Sequence, residues 1–385
     1  MPFSYYRGQE EERMNRQKIR FGVIGFAHLH VLELIRGFLQ MPEQYEFIGA
    51  ADTRPMIETD FSGRFSRNSN KALFQQMMGP DAVCASVEEL LSGKPELILV
   101  TTENALHGTV VPELLLRGIH VVVDKPLAIC EEHAAAIRKA EIEGGARCIT
   151  NWFSYWKPGI RLARKLMREG IVGSVYRFQY RNPDTLGVYE GKAQMDESIL
   201  KKEWWYQLRC GGGSMIDYCS YGIVLADWFL ERQPEAVSAV TKNFHQKFCD
   251  AEDYAALTLL YPDTIAYLEG TWTTVSSGLP TGPILWGEKG TLIAENYDHS
   301  NSTRVCLYQT PHASAPDKIY HSEDYPLPEG HRNLAEDVYY YLTTREPVPY
   351  LLSTECNQKA ARILDAARKS AATGAEQKIR NSSAG

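Results

Sequence analysis

The sequence lacks the features that mark membrane proteins, nucleic-acid-binding proteins and exported proteins. No apolar run approaches the length of a membrane span, and residues 1–18, which precede the first apolar run, are polar and charged. The net charge of -7, with both signs interspersed, offers no basic surface for nucleic acid or an anionic membrane. We therefore expect a cytoplasmic protein that binds a small molecule, and neither nucleic acid nor a membrane.

Pairs of cysteines are also lacking. The eight cysteines are scattered, without a CxxC pair or a Cys/His cluster at zinc-binding spacing, so neither structural disulfides nor a cysteine-based metal site is expected. His28 and His30 flank one turn, but no carboxylate or third histidine partner is evident in the sequence. The sequence therefore predicts no metal site.

What is present is a length and a pattern typical of two domains. With 385 residues the chain exceeds what one ordinary core supports, and its 44% hydrophobic and 23% charged residues are usual for globular proteins. From residue 19, short β-branched runs alternate with helical stretches, which predicts a parallel α/β sheet of the Rossmann type. Strands are predicted at residues 19–25, 45–51, 82–84, 96–101, 120–124 and 148–150, with helices at 29–39, 107–117 and 131–144.

After residue 151 the alternation stops and longer strands appear, which predicts an α+β domain with a large, mostly antiparallel open sheet. Its strands are predicted at residues 174–181, 236–244, 254–261, 264–274, 291–295 and 305–309, and its helices at 159–169, 334–343 and 353–372. The predicted division is an arm at 1–18, a nucleotide-binding domain at 19–150, and a substrate-binding and oligomerisation domain at 151–375. The C-terminal helices of the second domain are expected to pack back on the first. Since one face of the open sheet has no evident helical cover, we predict a homodimer or homotetramer.

The first predicted strand ends where a dinucleotide-binding fold places its glycine-rich turn. This turn is formed by Gly25, Phe26, Ala27 and His28. Only part of the G-x-G-x-x-G pattern is present, but Ala27 is small enough to let backbone amides approach a pyrophosphate. Asp52, which closes the second strand, can accept hydrogen bonds from both ribose hydroxyls and would repel a 2′-phosphate, so NAD is favoured over NADP.

Two stretches of the first half resemble the Gfo/Idh/MocA family of oxidoreductases. The run DKP at 124–126 resembles the Glu-Lys-Pro that ends the family's fifth strand, with aspartate in place of glutamate. The run TTENALH at 101–107 resembles its Pro-Asn-x-x-His loop, with glutamate in the proline position. The resemblance and the strand-end positions assign six residues to a cofactor site. They are Thr101, Thr102, Asn104, His107, Asp124 and Lys125.

The second half carries a further part of this resemblance. The run GGGSMIDYCSY at 211–221 resembles the family's Gly-Gly-Gly…Asp-x-x-x-His signature, with Tyr221 where the histidine usually stands. The resemblance implies that Lys125, Asp217 and Tyr221 are catalytic, and that Asp217 and Tyr221 bind substrate. A tyrosine can take the alcohol proton only if an ammonium such as Lys125 favours the phenolate; otherwise Lys125 takes the proton. Asp217 and Tyr221 are four residues apart and would share a helix face.

Aromatic residues suggest the kind of substrate. The linking segment 151–158 is rich in aromatics, and Tyr155 stands where the family has an arginine. Because aromatic rings stack on sugar faces, Tyr155 and Trp205 are candidate substrate-binding residues for a carbohydrate or cyclic polyol, although packing between domains explains them equally well. Residues 345–347, 353 and 366–370 resemble the family's C-terminal segment, so the resemblance extends over roughly residues 19–380.

The resemblance implies an NAD-dependent dehydrogenase or reductase that acts on a secondary hydroxyl or ketone of a sugar, polyol or derivative. Two alternatives stay open. One is a glycosidase of the same family that uses bound NAD for transient oxidation. The other is a non-catalytic NAD-binding regulatory protein, which the tyrosine at position 221 keeps in consideration.

Overall fold

The computed structural model describes residues 18–379, apart from residues 60, 64, 184–196, 275–277, 296–303 and 345. All but the last residue of the predicted N-terminal arm at 1–18 lies outside the described residues. Arg345, which begins the C-terminal part of the resemblance, lies outside them too.

The first domain is a five-stranded parallel sheet in the strand order β2-β1-β3-β4-β5. Its elements are β1 (Ile19–Ile24), α1 (Val31–Leu39), β2 (Tyr45–Ala51), α2 (Arg67–Met78), α3 (Val87–Ser92), β3 (Leu97–Val100), α4 (His107–Leu116), β4 (His120–Asp124), α5 (Glu131–Gly144) and β5 (Cys148–Asn151). The predicted strand at 82–84 is wrong. Pro80–Ala82 is a 3-10 turn, and Val83 forms only an isolated bridge to Ala50, because this short run is half-buried at the end of the sheet.

Two separate apolar cores cover the faces of this sheet, as a parallel sheet requires. Phe21 and Val23 of β1 belong to one core together with α1, whereas Ile24 and Ile98 belong to the other together with α4 and α5. Every residue of β3 is buried. Because all five strands run in the same direction, their carboxyl ends meet at one edge, where open α/β sheets bind their ligands.

The second domain is built on a nine-stranded sheet in the order β13-β12-β11-β10-β6-β9-β8-β7-β14. Its elements are α6 (Pro158–Arg168), β6 (Val175–Pro183), α7 (Glu197–Leu200), α8 (Ser220–Leu230), β7 (Ala236–Lys242), β8 (Tyr254–Leu260), β9 (Ile265–Thr271), β10 (Ile284–Gly287), β11 (Gly290–Glu295), β12 (Arg304–Tyr308), β13 (Lys318–His321), α9 (Leu334–Thr344), α10 (Thr354–Thr373) and β14 (Gln377–Lys378). Among the described strands of this sheet, only β6 and β9 pair in parallel, so the prediction of a mostly antiparallel sheet is confirmed. Strands β10, β13 and β14 were not predicted.

The two faces of this sheet differ. Along β9, Ala266 and Leu268 are buried, whereas Tyr267 between them is exposed. The buried face packs against α8, and among the described elements none covers the other face. The long helix α10 contacts both β7 and α5, so it links the sheet to the first domain.

In the part of the chain that the structure describes, none of the helices is both long enough and apolar enough to cross a membrane.

Candidate active site

The glycine-rich turn after β1 has a conformation that only glycine accepts. Gly25 has φ +98, and a β-carbon there would lie 2.7 Å from the backbone nitrogen of Thr102. The hydroxyl of Thr101 donates a hydrogen bond to the Gly25 carbonyl at 2.7 Å, which fixes the turn against β3. Among the described residues, no side chain caps the N-terminus of α1 that follows. An uncapped helix N-terminus behind a glycine turn suits the pyrophosphate of a dinucleotide.

Residues of both domains hold the rest of this turn. Asn70 of α2 donates to the Phe26 carbonyl at 3.0 Å, and Trp204 of the second domain donates its indole N–H to the Ala27 carbonyl at 3.0 Å. The ring of Trp205 lies 5.4 Å from that of His28. Trp205, which was predicted to bind substrate, therefore contacts the turn through His28. The hydrogen bond from the neighbouring Trp204 to the turn was not predicted.

Asp52 forms an ion pair that the sequence did not indicate. Arg67 of α2 binds the Asp52 carboxylate and, through its other terminal nitrogen, bonds to Glu103 at 2.5 Å. Burial raises the pKa of Asp52, and Arg67 opposes that shift. Arg67 was missed because it lies 15 residues from Asp52, on a helix without a motif.

A cavity of about 400 Å³ lies beside Asp52 at the carboxyl ends of β1 and β2. Its lining consists of Ile24, Asp52, Thr53, Arg54, Ala85, Ser86, Val87, Glu88, Leu91, Val110, Glu113 and Leu114. A carboxylate at the rim of a half-apolar cavity beside the second strand fits the adenosine half of a dinucleotide.

Asn104 and His107, predicted to bind cofactor, tie neighbouring loops together. Asn104 donates its side-chain amide to the Gly211 carbonyl at 2.9 Å, which joins the loop after β3 to the triple-glycine segment. The Nδ1 of His107 lies 3.0 Å from the Pro126 carbonyl, and burial lowers the pKa of this imidazole. Thr102, also predicted to bind cofactor, donates its hydroxyl to the Glu103 carbonyl at 3.3 Å.

Lys125 and Asp217 meet between the two domains. The Lys125 ammonium, at the end of β4, forms an ion pair with the carboxylate of Asp217, which lies in the π-helical turn Met215–Cys219 before α8. The Lys125 side chain is only 3% exposed. The second carboxylate oxygen of Asp217 accepts the indole N–H of Trp272 at 3.0 Å. The structure thus joins two of the predicted catalytic residues and adds Trp272.

Tyr221 lies beside this pair, with Lys125 Nζ 5.3 Å from its ring centroid. Burial, followed by the negative charges of Asp124 and Asp217, raises the pKa of Tyr221 well above its ordinary value. Desolvation and the nearby carboxylates oppose the phenolate form of Tyr221, which agrees with the alternative in which Lys125 takes the proton; the choice between the two stays a prediction.

Tyr155 lies elsewhere. Its ring packs against Trp228 of α8 at 5.5 Å, and the Arg161 guanidinium stacks over it at 4.6 Å. Within the described ranges, no hydrogen bond or ring contact joins Tyr155 to Lys125 or Tyr221. Its observed contacts agree with the packing explanation, and substrate binding by Tyr155 stays a prediction.

In the fold, Asp124 is the carboxylate partner of His28 and His30, which the sequence did not reveal. Asp124 Oδ2 lies 2.9 Å from His30 Nδ1 and 3.5 Å from His28 Nδ1. Burial would raise the pKa of Asp124, but His30 and His28 hold it below its ordinary value. Burial also lowers the pKa of His28 well below its ordinary value.

Fold and site together define a two-domain protein with a dinucleotide-binding first domain, and comparison with known families agrees. Residues 19–151 match the family model described as the oxidoreductase family, NAD-binding Rossmann fold. Residues 160–293 match the GFO/IDH/MocA C-terminal domain. The chain belongs to the GFO/IDH/MocA family of oxidoreductases, and its first domain is an NAD-binding Rossmann domain.

Curated relatives are distant. The chain is 23% identical over 226 residues to 2,7-anhydro-N-acetylneuraminate hydratase of Escherichia coli strain K12, a match covering 57% of each chain. It is 25% identical to scyllo-inositol 2-dehydrogenase (NADP(+)) IolW of Bacillus subtilis strain 168, over 50% of each chain. The matched part thus spans 57% and 50% of the length of these two relatives.

Solved structures show the same fold over nearly the whole chain. The aldose-aldose oxidoreductase from Caulobacter crescentus, complexed with glycerol, superimposes with a TM-score of 0.73 at 19% identity, covering 94% of this chain and 100% of that one. The WlbA dehydrogenase from Bordetella pertussis, in complex with NADH and UDP-GlcNAcA, gives a TM-score of 0.71 at 19% identity, covering 95% and 100%.

Proposed function

We propose that the protein is an NAD-dependent oxidoreductase that transfers a hydride between the nicotinamide and a secondary hydroxyl or ketone of a sugar, polyol or derivative. The observation that carries this proposal is the buried ion pair of Lys125 and Asp217 at the carboxyl end of β4. In an NAD-binding Rossmann domain, this edge of the sheet is where the reactive end of the cofactor is expected. The names of relatives, among them a dehydrogenase and a sugar reductase, support the class of reaction.

NAD supplies the hydride chemistry, and the chain supplies binding and orientation. The turn at Gly25 and the N-terminus of α1 hold the pyrophosphate, and Asp52 binds the adenosine ribose. Because Arg67 is already engaged by Asp52 and Glu103, it is not free to bind a 2′-phosphate. This arrangement supports NAD over NADP.

We assign proton transfer to Lys125. The ammonium can bind the substrate oxygen and give its proton to the alkoxide that forms when a ketone is reduced; in the reverse direction the amine takes the proton back. Asp217 orients the ammonium, and Trp272 orients Asp217. Tyr221, whose raised pKa keeps it protonated, donates a hydrogen bond to the same oxygen without removing a proton.

The proposal is tested by incubating the protein with NAD+ and a panel of sugars and polyols, and with NADH and the matching keto compounds, while NADH absorbance is followed. Net formation or consumption of NADH with at least one compound is expected. Bound NAD with no net change for any compound, and no conversion of a compound, would overturn it in favour of a regulatory protein.

A second candidate is a reaction that uses NAD without net change, because two relatives are named as hydratases and not as dehydrogenases. Cofactor that stays bound through purification, together with conversion of a sugar derivative and no net NADH, would select it.

We also propose that the open face of the nine-stranded sheet joins copies of this chain. Val240 and Tyr267 are exposed on it beside the ion pair of Arg181 and Glu269, and exposed apolar side chains bordered by polar ones often mark a protein–protein interface. Light scattering at working concentration should give a dimer or tetramer; a monomer would contradict this.

A further inference from the structure

Three side chains that could ligate a metal converge beside the glycine-rich turn. His28, His30 and Asp124 each offer one ligand atom, and these atoms all lie within 4.8 Å of one another. The two imidazole Nδ1 atoms lie 2.9 and 3.5 Å from Asp124 Oδ2. Tetrahedral ligands around zinc, with bonds near 2.1 Å, are about 3.4 Å apart. The two observed distances bracket that spacing.

The hydrogen bonds in this cluster leave one close contact between two acceptors. His30 Nδ1 lies 2.9 Å from Asp124 Oδ2 and hydrogen-bonds to it. Asp124 Oδ1 already accepts the side-chain amide of Asn151 at 3.0 Å, so Oδ2 is the oxygen that faces both imidazoles. His28 Nδ1 lies 3.3 Å from the backbone N–H of His30 and accepts its hydrogen bond. A ring nitrogen that accepts a hydrogen bond has no proton to give to the carboxylate. Two acceptors, His28 Nδ1 and Asp124 Oδ2, therefore face each other at 3.5 Å, and a cation in place of the proton on His30 Nδ1 would contact all three ligand atoms.

The surroundings hold the three ligands in place. The backbone N–H of His28 donates to the Thr101 carbonyl at 3.2 Å, and Asn151 fixes the carboxylate of Asp124. The ring of Phe153 packs edge-on against that of His30 at 4.7 Å. Such support around ligating groups orients them before a metal arrives. The His30 side chain is 17% exposed, which gives an ion a way in from solvent.

We propose that His28, His30 and Asp124 form a binding site for a divalent transition metal ion of the zinc class. Two imidazoles and one carboxylate are ligands that suit Zn²⁺ or Co²⁺ better than Mg²⁺ or Ca²⁺, which prefer oxygen ligands. Three protein ligands leave at least one coordination position for water or a substrate oxygen. Binding of the ion does not depend on the proposed hydride transfer, although Asp124 directly precedes Lys125.

The test uses the full chain without a histidine tag, treated with a chelator and then titrated with Zn²⁺ and with Co²⁺. Calorimetry should show one ion per chain, and Co²⁺ should give the visible absorption bands of a four- or five-coordinate site. His28→Gln, His30→Gln and Asp124→Asn should each weaken Zn²⁺ binding by about a hundredfold or more.

The matched control is His321→Gln. His321 is an exposed histidine at the end of β13, and its Nδ1 lies 3.8 Å from the carboxylate of Glu323 in the following turn. This variant should bind Zn²⁺ like the unaltered protein. Circular dichroism of each variant separates loss of a ligand from loss of the fold. If the unaltered chain binds no stoichiometric ion, or if the three ligand variants that keep the fold bind it equally well, the site does not exist and the cluster is a hydrogen-bonded one only.

Discussion

Trp272 donates its indole N–H to one oxygen of the Asp217 carboxylate at 3.0 Å, while the other oxygen binds the Lys125 ammonium. The carboxylate is therefore held on both sides by residues of different domains. A side chain fixed in this way loses little freedom when substrate binds, which favours a reactive geometry.

Trp272→Phe should lower kcat about tenfold with a small change in KM, because the substitution removes a positioning hydrogen bond and leaves the packing of the ring. Steady-state kinetics with the best substrate of the panel measures this. Trp286→Phe is the control, since Trp286 stacks on Arg177 in the open sheet away from the ion pair. Equal kcat in both variants would remove Trp272 from the site.

Asp52→Ser should weaken NAD binding about tenfold and strengthen NADP binding, because the change removes the ribose acceptor and its negative charge and releases the Arg67 nitrogen that does not bind Glu103. Fluorescence titration with both cofactors measures the two affinities. Glu88→Gln removes the same charge from an exposed residue of the same cavity and should change neither. An Asp52→Ser variant with unaltered preference would show that Asp52 does not contact the ribose.

The sequence predicted those parts of the site that depend on local pattern. Lys125 could be placed at a strand end because the apolar run before it and the proline after it are contiguous. The partners that complete the site come from far along the chain: Trp272 is 55 residues from Asp217, and Asp124 is 94 residues from His30. No local period links such pairs. Only the packing of the elements brings them together.

Two further features of the protein depend on tertiary structure in the same way. The protonation of Tyr221 depends on how completely the folded protein excludes water, which no spacing of residues reports. The short run at 82–84 has strand-forming residues, but it pairs with β2 through a single bridge, between Val83 and Ala50. Local preference gives way there to tertiary structure.

Tyr221→Phe tests the assignment of the proton. If Tyr221 only donates a hydrogen bond, the variant should lose about tenfold in kcat and keep the shape of the pH profile. A general acid or base at this position would cost about 100-fold or more. Rates measured across the pH range with Tyr221→Phe therefore decide between Tyr221 and Lys125.

The raised pKa of Glu252 predicts how the free energy of unfolding depends on pH. Burial raises the pKa of its carboxyl from 4.5 to about 7. Between these values the folded protein binds more protons than the unfolded chain, so stability falls as pH rises through this window and levels off above it. From about pH 6 to about pH 8 the loss should be about 1 kcal/mol.

Glu252→Gln should abolish this contribution, because an amide oxygen can still accept the backbone N–H of Met215, observed at 2.8 Å, and carries no charge. Urea unfolding across the same pH range measures it, with Glu288→Gln, an exposed site, as the control. An identical pH dependence in Glu252→Gln and the unaltered protein would show that Glu252 does not titrate in this window.

The central claim, that Lys125 performs the proton transfer that accompanies hydride transfer, is tested most directly by the rate of NADH formation in Lys125→Met. Lys139→Met is the matched control, because Lys139 is an exposed lysine that pairs with Glu143 at 3.7 Å on α5. The rate should fall about 1000-fold in Lys125→Met, with NAD affinity preserved, and should stay unchanged in Lys139→Met. A Lys125→Met enzyme that binds NAD and forms NADH as fast as the control would contradict the account.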